Sequence, residues 1–422
     1  MPNDHLTAAQ GTENSYGSIR ISVTSTMGLF PVENATVTIS YTGDPGTPLM
    51  TLTTDSSGQT PTVELPSPPV ELSLEPENLV QPYSEYNIEV TAEGYEPVVV
   101  SGSEILADQL SLQPIRMEPM GTGADTGDVV VIPDHTLYGD YPPKIPEEEI
   151  KPIPDTGEIV LSRVVIPEYI IVHDGVPSDS TAANYWVLYR DYIKNVASCE
   201  IYSTWPESAI YANILVIMSF TLNRVYTEWY RNQGYDFTIT SSTAYDQKWI
   251  YGRNIYENID LLVDNIFANY LSRPGVQQPI FTSYCDGQRV TCEGLSQWGS
   301  KYLGEQGYSP IEIIRYYYGN DMFINTATAI SGVPSSYPGY ALEVGASGEK
   351  VRQLQTQLNR IARNYPAIPT VTADGIYGQE TANAVRVFQG VFNLPQTGVT
   401  DYATWYEISE IYVGVSRIAE PG

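Results

Sequence analysis

The sequence predicts a multidomain protein in which an all-β sandwich is followed by an α+β domain and then by a small three-helix α domain. Three patterns support this order. Apolar and polar residues alternate over much of residues 17–116, as they do in half-buried strands. Helical patterns dominate residues 161–330, and residues 338–415 place apolar side chains at helical spacing around tight glycine turns. A chain of 422 residues can hold roughly two to four domains, each with its own hydrophobic core.

The predicted sandwich occupies residues 17–116, behind an N-terminal tail of residues 1–16. Residues 19–23 and 86–90 alternate between apolar and polar side chains, and turn residues at 54–58 separate two strands. Three motifs, Pro31-Val-Glu-Asn-Ala-Thr-Val37, Thr54-Asp-Ser-Ser-Gly58 and Glu93-Gly-Tyr95, resemble the carboxypeptidase regulatory-like and prealbumin-type sandwiches. This resemblance implies a scaffold or a cover, and we predict no catalytic residue here.

Residues 117–160 are predicted to be a linker. They are rich in Gly, Pro and acidic residues, as in Tyr141-Pro-Pro-Lys-Ile-Pro-Glu-Glu-Glu149. Such a composition cannot bury enough apolar surface to fold by itself, and proline keeps the chain extended. We also expect a proteolytic processing site in this linker.

The negative charge is concentrated in the N-terminal part of the chain. The first 150 residues hold 23 acidic and 3 basic residues, a net −20 out of −29 for the whole protein. Phosphate backbones and anionic membranes attract basic surfaces, so this charge argues against nucleic acid and membrane partners.

Two segments bear on targeting. The sequence Met1–Thr7 has neither the basic nor the apolar region of a secretory signal peptide, so we expect synthesis in the cytoplasm. The apolar run 209–222 is interrupted by Asn213 and is shorter than the roughly 20 residues of a membrane span. We therefore expect a buried core helix and no transmembrane segment.

Two glutamates precede and begin the longest apolar helix pattern. Glu207 lies three residues after Thr204 with Pro206 between them, which predicts a capping box and a structural role for Glu207. Glu200 lies before this cap, on a tight connection among apolar side chains. Such surroundings disfavour the charged form of a carboxyl group, which can then act as a general acid. We predict that Glu200 is catalytic; the alternative is an ordinary solvated glutamate.

The sequence around Glu200 resembles the catalytic domain of stage II sporulation protein D over roughly residues 165–320. The resemblance rests on three motifs: Ser198-x-Glu200-x4-Trp205-Pro206, Ser296-Gln-Trp-Gly299 and Ile314-Arg-Tyr-Tyr-Tyr-Gly319. That family cleaves peptidoglycan glycan strands as lytic transglycosylases, and its essential glutamate corresponds to Glu200. The resemblance implies a catalytic domain over residues 161–330. The family usually has an arginine near the middle of the long helix, where this chain has Met218-Ser219.

Four further residues of this domain are candidates to bind sugar, with a structural role as the alternative for each: Tyr284, Asp286, Gln297 and Trp298. In a lytic transglycosylase, Glu200 would protonate the glycosidic oxygen and then accept the proton of the C6 hydroxyl, leaving a 1,6-anhydro sugar. Three alternatives remain open: a muramidase with a second carboxylate, an amidase, or a non-catalytic spore protein that only binds peptidoglycan.

The cysteines and histidines do not predict a metal site or a cofactor. Cys285 and Cys292 either close a short disulfide loop or stay reduced. Cys199 has no histidine near it in sequence, so we expect a buried, inert thiol. The three histidines are far apart in sequence, which argues against zinc.

The C-terminal residues 338–415 resemble the three-helix peptidoglycan-binding domain. Val351, Leu354 and Leu358 follow helical spacing after Gly348, and Leu394-Pro-Gln-Thr-Gly398 follows the second helix. The motif residues that carry the resemblance are Asp374, Gly375, Tyr377, Gly378, Thr381, Phe388 and Gln389. Such a domain would tether an enzyme to its polymer.

The combined order of domains resembles the SleC-type spore cortex-lytic enzymes. The resemblance implies a precursor that is stored at the cortex or coat of the spore and trimmed in its N-terminal part by a germination protease. The trimmed enzyme would degrade cortex peptidoglycan. We add the hypothesis that the acidic sandwich repels anionic glycan or covers the cleft until it is removed.

Overall fold

The computed structural model describes residues 15–26, 29–121, 128–151, 163–333 and 336–417. It contains an N-terminal β-sheet region, a middle α+β region and a C-terminal helical region, so the predicted order of fold classes is confirmed. Most of the predicted tail of residues 1–16 lies outside the described residues, but Ser15 and Tyr16 already belong to the first strand.

The N-terminal region is built from two sheets whose inner faces form one core. One sheet has the order β3-β2-β5-β6-β8, and the other contains β7-β1-β4. The alternating pattern of β1 buries Ile19, Ile21 and Val23 completely, as predicted for a half-buried strand. The strands are β1 (Ser15–Ser25), β2 (Thr36–Tyr41), β3 (Asp44–Thr53), β4 (Val63–Ser67), β5 (Ser84–Thr91), β6 (Val98–Ile105), β7 (Leu110–Met117) and β8 (Asp128–Val131).

The middle region packs its helices around α2, whose residues are buried along most of its length. Its elements are β9 (Val165–Ile166), β10 (Tyr169–His173), β11 (Asn184–Leu188), α1 (Tyr189–Glu200), α2 (Glu207–Tyr226), β12 (Ile239–Thr240), β13 (Ile255–Tyr256), α3 (Glu257–Ile266), β14 (Asn269–Ser272), β15 (Tyr284–Cys285), β16 (Leu295–Ser296), α4 (Gln297–Glu305), α5 (Pro310–Tyr318), β17 (Phe323–Thr326) and β18 (Ala329–Ile330).

The predicted capping box at the start of α2 is wrong. Pro206 occupies the N-cap position, and no side chain caps the helix there. The Thr204 hydroxyl instead shares a hydrogen bond of 2.7 Å with the hydroxyl of Ser73 in the N-terminal region. Glu207 is exposed in the first turn, where its charge suits the helix dipole.

The N-terminal and middle regions share one sheet. Strand β13 pairs antiparallel with β7, with Ile255 opposite Leu112. Next to this pairing, the buried Arg253 forms an ion pair with Glu104, and burial raises the pKa of that glutamate to about 7. Cys199 also packs into the core of the sandwich. The sandwich is therefore joined to the middle region by buried contacts, and its interface would be exposed if it were removed.

The described part of the predicted linker, residues 128–151, is not an extended linker. Strand β8 adds in parallel to β6, and the chain then crosses the middle region. His135 and Tyr141 are buried there. The composition of this segment does not let it fold by itself. It is ordered because its polar groups and rings contact residues of the middle region. Residues 122–127 and 152–160 of the predicted linker lie outside the described residues.

Three helices form the C-terminal region: α6 (Glu349–Ile361), α7 (Gln379–Val391) and α8 (Tyr402–Arg417). Helix α8 docks on the middle region through a buried ion cluster. Arg190 of α1 contacts Asp264 of α3 at 2.9 Å and Glu407 and Glu410 of α8 at 2.9 and 2.6 Å. Lys194 contacts Asp264 at 2.8 Å and Asp260 at 2.6 Å. Four carboxyl groups therefore share two cations.

One helix in the described part of the chain is long and apolar enough to cross a membrane, by length and composition alone. This helix is α2, and 83% of its most apolar stretch is buried inside the protein.

We expect the docking of α8 to weaken as the pH rises from about 4 to about 7. Burial raises the pKa of both Asp260 and Glu410 to about 7, so the folded protein binds protons that the unfolded chain releases near pH 4. This contribution to stability is complete below about pH 4 and is lost by about pH 7.

The measurement is the free energy of unfolding from pH 4.5 to 8. Because about a quarter of the Glu410 side chain is exposed, we expect Glu410→Gln to flatten the pH dependence by only about 1–2 kcal/mol. Glu349→Gln, at a highly exposed glutamate of α6, is the matched control. Equal pH profiles for both variants would contradict the assignment.

Candidate active site

Glu200 is the last residue of α1, so it lies on a helix end and not on the predicted loop. Its side chain is fully buried. Both carboxyl oxygens accept hydrogen bonds: Oε1 from the backbone N–H of Lys248 at 2.8 Å, and Oε2 from the side-chain amide of Gln297 at 3.0 Å. The carboxyl group is therefore fixed in orientation by two neutral donors on different elements.

Gln297 is the residue that connects Glu200 to its surroundings. As the first residue of α4, it donates from Nε2 both to the Glu200 side chain and to the Glu200 backbone carbonyl, each at 3.0 Å. Its own side-chain oxygen accepts a hydrogen bond of 3.3 Å from the hydroxyl of Tyr141. The structure thus brings the predicted sugar-contact residue Gln297 directly to Glu200.

The segment 133–151, which we call the cover segment, lies over Glu200. Tyr141 is buried, and burial together with the charges of Glu200 and Asp286 raises its pKa well above the ordinary tyrosine value. The Lys144 ammonium donates to the Asp246 carbonyl at 2.8 Å and lies 4.1 Å from the centre of the Tyr284 ring. Burial lowers the pKa of Lys144, while the negative charge of Glu200 acts in the opposite direction.

The cover segment is anchored at several points along its length. Glu147 forms a two-pronged ion pair with the buried Arg224, at 2.8 and 2.6 Å. The backbone N–H of Ile145 donates to the Ala244 carbonyl at 2.9 Å. At the other end, Arg289 donates to the backbone carbonyls of Thr136 and Gly139. These contacts hold the segment against both sides of the site.

Tyr284 and Trp298 are both buried close to Glu200. Tyr284 lies with its ring 4.1 Å from the Lys144 ammonium, and burial and then the charge of Glu200 raise its pKa. Trp298 packs against Trp205, with ring centres 4.9 Å apart, and against Tyr202 at 6.1 Å. Trp298 therefore belongs to an aromatic cluster beneath the site, whereas Tyr284 lines it.

Asp286 has a structural environment. Its carboxylate accepts hydrogen bonds from the backbone N–H groups of Gln288, Arg289 and Val290 and from the Arg289 guanidinium, at 2.8 to 3.3 Å. The carboxylate is fully buried and organises the turn that the disulfide Cys285–Cys292 closes. Its acceptor positions are already occupied, so the sugar-contact prediction gains no support from this geometry.

Cys199 is the free cysteine of the chain. Cys199 is buried, and burial raises the pKa of its thiol to about 11, which makes it a poor nucleophile. Across the described ranges, no group of three or more His, Cys, Asp or Glu side chains is arranged to hold a metal ion.

The predicted motif residues of the C-terminal region hold its turns together. Asp374 accepts a hydrogen bond from the Ile376 N–H at 2.8 Å, and Gly375 has a φ of 80°, which favours glycine. Tyr377 is buried with its hydroxyl 3.0 Å from the Gly398 carbonyl, which it donates to.

The other four motif residues also face inwards or cap a helix. Gly378 is the N-cap of α7. Thr381 and Phe388 are buried, and Gln389 donates to Val399 at 2.9 Å and to Thr404 at 3.1 Å. These contacts show that the motif residues stabilise the fold of this region.

Residues 347–408 match the family model of a peptidoglycan binding domain. The C-terminal region therefore contains a domain of that peptidoglycan-binding family. The match covers the C-terminal region alone and gives no information on the activity of the middle region.

Two solved structures align with part of the chain. The minor pilin GBS52 of Streptococcus agalactiae is 16% identical over 26% of this chain and 48% of the pilin chain, with a TM-score of 0.19. Chlorocatechol 1,2-dioxygenase from Pseudomonas putida is 17% identical over 28% of this chain and 58% of the enzyme, with a TM-score of 0.16. The alignments span about half of each of those chains, and TM-scores this low do not indicate a shared overall fold. A comparison with curated proteins finds no match.

Sequence reasoning missed Tyr141, Lys144 and Lys248. The first two stood in a segment whose composition indicated a linker. Lys248 contributes only its backbone N–H, which carries no sequence signal. Tyr141 and Lys144, on either side of two prolines in an otherwise acidic stretch, were the available indication that this segment has a specific partner.

We expect Asp286→Ala to lower the free energy of unfolding by about 1–3 kcal/mol, because three backbone N–H groups and the Arg289 guanidinium would lose their buried acceptor. Chemical denaturation measures this, with Asp321→Ala, at a largely exposed aspartate, as the matched control. Unchanged stability together with weaker glycan binding would instead make Asp286 a sugar-contact residue.

Proposed function

We propose that the protein is a peptidoglycan lytic transglycosylase that degrades spore cortex glycan strands during germination, with Glu200 as its single catalytic carboxyl group. The observation that carries the proposal is the placement of Glu200. It is a buried carboxyl oriented by Gln297 and by the Lys248 N–H, in a chain whose C-terminal domain binds peptidoglycan.

The state of the neighbouring acids favours one catalytic carboxyl over a pair. Asp286 is saturated by its own turn, and Asp246 accepts from Arg224, Tyr230 and Thr240 at 2.6 to 2.9 Å. A hydrolase needs a second carboxylate to activate water or to trap the sugar. A lytic transglycosylase uses the C6 hydroxyl of the muramic acid residue instead.

In the proposed reaction, Glu200 protonates the glycosidic oxygen as the bond to C1 breaks. The resulting carboxylate then accepts the proton of the C6 hydroxyl while that oxygen attacks C1, which gives a 1,6-anhydro end. Gln297 and the Lys248 N–H keep the carboxyl in one orientation through both proton transfers.

The cover segment supports a precursor form. Glu200 has no exposed surface while Tyr141 and Lys144 lie over it, so a glycan strand needs the segment to move. In this proposal the protein is stored in the spore, and a germination protease cuts within the linker predicted over residues 117–160 to free the segment. Tyr141 of the cover segment bonds to Gln297, which in turn holds Glu200, so the acidic sandwich need not cover the cleft itself.

The second candidate is a spore protein that binds peptidoglycan without cleaving it. The complete burial of Glu200 favours this alternative for the intact chain. An assay of the protein after proteolysis between Lys151 and Arg163 distinguishes these candidates: the enzyme releases glycan fragments, and the binding protein does not.

We expect Glu200→Gln to abolish glycan cleavage while the fold persists, since general acid–base assistance contributes about 10²–10⁴-fold. The assay is mass spectrometry of fragments released from cortex by the cut chain, and transglycosylase products are one water lighter than hydrolysis products. Glu207→Gln, at the exposed glutamate of α2, is the matched control and should cleave normally. Full activity of Glu200→Gln would contradict the catalytic role of Glu200, and hydrolysis products would indicate a muramidase.

We expect Glu147→Gln to loosen the cover segment, because the amide cannot form the charged pair with Arg224. Hydrogen exchange at Ile145 should accelerate about tenfold or more, which corresponds to 1.4 kcal/mol or more of lost protection. The uncut variant should also gain cleavage activity. Glu148→Gln alters the neighbouring exposed glutamate and should do neither. Identical exchange in both variants would show that the ion pair does not hold the segment.

A further inference from the structure

A disulfide closes a short loop beside the candidate site. Cys285 and Cys292 are joined, and residues 286–291 form the loop between them. Half of these loop residues are exposed, so the loop has little packing of its own. The buried carboxylate of Asp286 accepts hydrogen bonds from three backbone N–H groups of the loop. The conformation of the loop therefore depends on two features, the hydrogen bonds of Asp286 and the disulfide.

Arg289 reaches from this loop to the cover segment. Its guanidinium donates to the backbone carbonyls of Thr136, at 2.7 Å, and Gly139. The same guanidinium lies 5.6 Å from the centre of the Tyr141 ring. Tyr141 is also the residue whose hydroxyl donates to Gln297, the amide that holds the Glu200 carboxyl group. Arg289 thus contacts the part of the cover segment that lies against the candidate site.

The two halves of the cover segment have separate anchors. The C-terminal half is held by Arg224 through an ion pair. In the N-terminal half, the His135 N–H donates to the Tyr83 hydroxyl at 2.9 Å, and the Thr136 N–H donates to the Cys199 carbonyl at 3.3 Å. These are bonds between neutral groups, and hydrogen bonds from a charged donor such as a guanidinium are stronger. The N-terminal half therefore depends on the disulfide loop for its strongest described hydrogen bonds.

We propose that the Cys285–Cys292 disulfide is a redox latch: its reduction by a dithiol loosens the loop, and Arg289 then releases the N-terminal half of the cover segment. The disulfide restricts the backbone of residues 286–291, and without it the loop regains conformations in which Arg289 no longer points at the cover segment. The inference rests on the proposed function for its purpose, the control of access to Glu200, but the opening itself requires no cleavage of glycan.

The reduction is a thiol–disulfide exchange that starts at the more accessible cysteine. Cys292 is half-buried, whereas Cys285 is buried. A thiolate of the dithiol attacks the Cys292 sulfur and forms a mixed disulfide, and Cys285 leaves as a thiolate that takes up a proton. The second thiol of the dithiol then displaces Cys292, which also takes up a proton. Two electrons and two protons pass to the protein, and the reductant leaves as its own disulfide.

The test is amide hydrogen exchange in the uncut chain before and after reduction with dithiothreitol. We expect the His135 and Thr136 amides to exchange about tenfold or more faster after reduction, because their acceptors lie outside the cover segment. The Ile145 amide, which is in the half held by Arg224, should keep its exchange rate. Unchanged exchange at His135 and Thr136 would overturn the proposal. Equal acceleration at all three amides would also overturn it, since that result indicates a general loosening of the protein.

Two variants separate the latch from other effects of the reductant. Cys285→Ser/Cys292→Ser lacks the disulfide and should exchange like the reduced protein, with or without dithiothreitol. Arg289→Gln keeps the disulfide but loses the cation, so it should expose the same amides in the oxidised state. Arg231→Gln, at an arginine whose side chain is 53% exposed, is the matched control and should change nothing. If reduction accelerates exchange as strongly in Arg289→Gln as in the unaltered protein, Arg289 is not the link and the proposal is wrong.

These measurements are independent of glycan cleavage. If reduction opens the N-terminal half of the cover segment but the cut chain releases no fragments from cortex, the latch stands and the proposed function fails. If the cut chain releases fragments but exchange does not respond to reduction, the proposed function stands and this inference fails.

Discussion

The burial of the Arg224 guanidinium is the constraint on which the candidate site depends. A buried cation must be paired, and Arg224 is paired twice, with Asp246 and with Glu147. Asp246 fixes the loop that presents the Lys248 N–H to Glu200. Glu147 fixes the cover segment, which lies over Glu200. Arg224, near the end of α2, therefore helps to orient the Glu200 carboxyl group and to keep it covered.

The features that could be read from the sequence are those encoded locally. The alternation of β1 and the apolar length of α2 each lie within one element, so the fold class followed from them. The peptidoglycan-binding domain was predicted by the resemblance of the motif around Asp374 and Gly375 to that family. Glu200 was predicted from its apolar surroundings and from resemblance, and its catalytic role stays a prediction.

The features that sequence reasoning got wrong depend on distant partners. Thr204 stood at a capping position, but its hydroxyl bonds to Ser73, 131 residues away. The 128–151 segment lacked a core of its own, and it folds against one built elsewhere. Local propensity cannot reveal which of several polar partners a side chain will meet.

The ion cluster between α1, α3 and α8 has a consequence for how a polymer would be processed. A binding module on a loose tether lets an enzyme cut anywhere within reach, whereas this module is seated against the middle region through Arg190. The fold then fixes the distance along a glycan strand between the point bound by the C-terminal domain and the point cut at Glu200. If the chain cuts glycan as proposed, it would act as a ruler and release fragments of a narrow range of lengths.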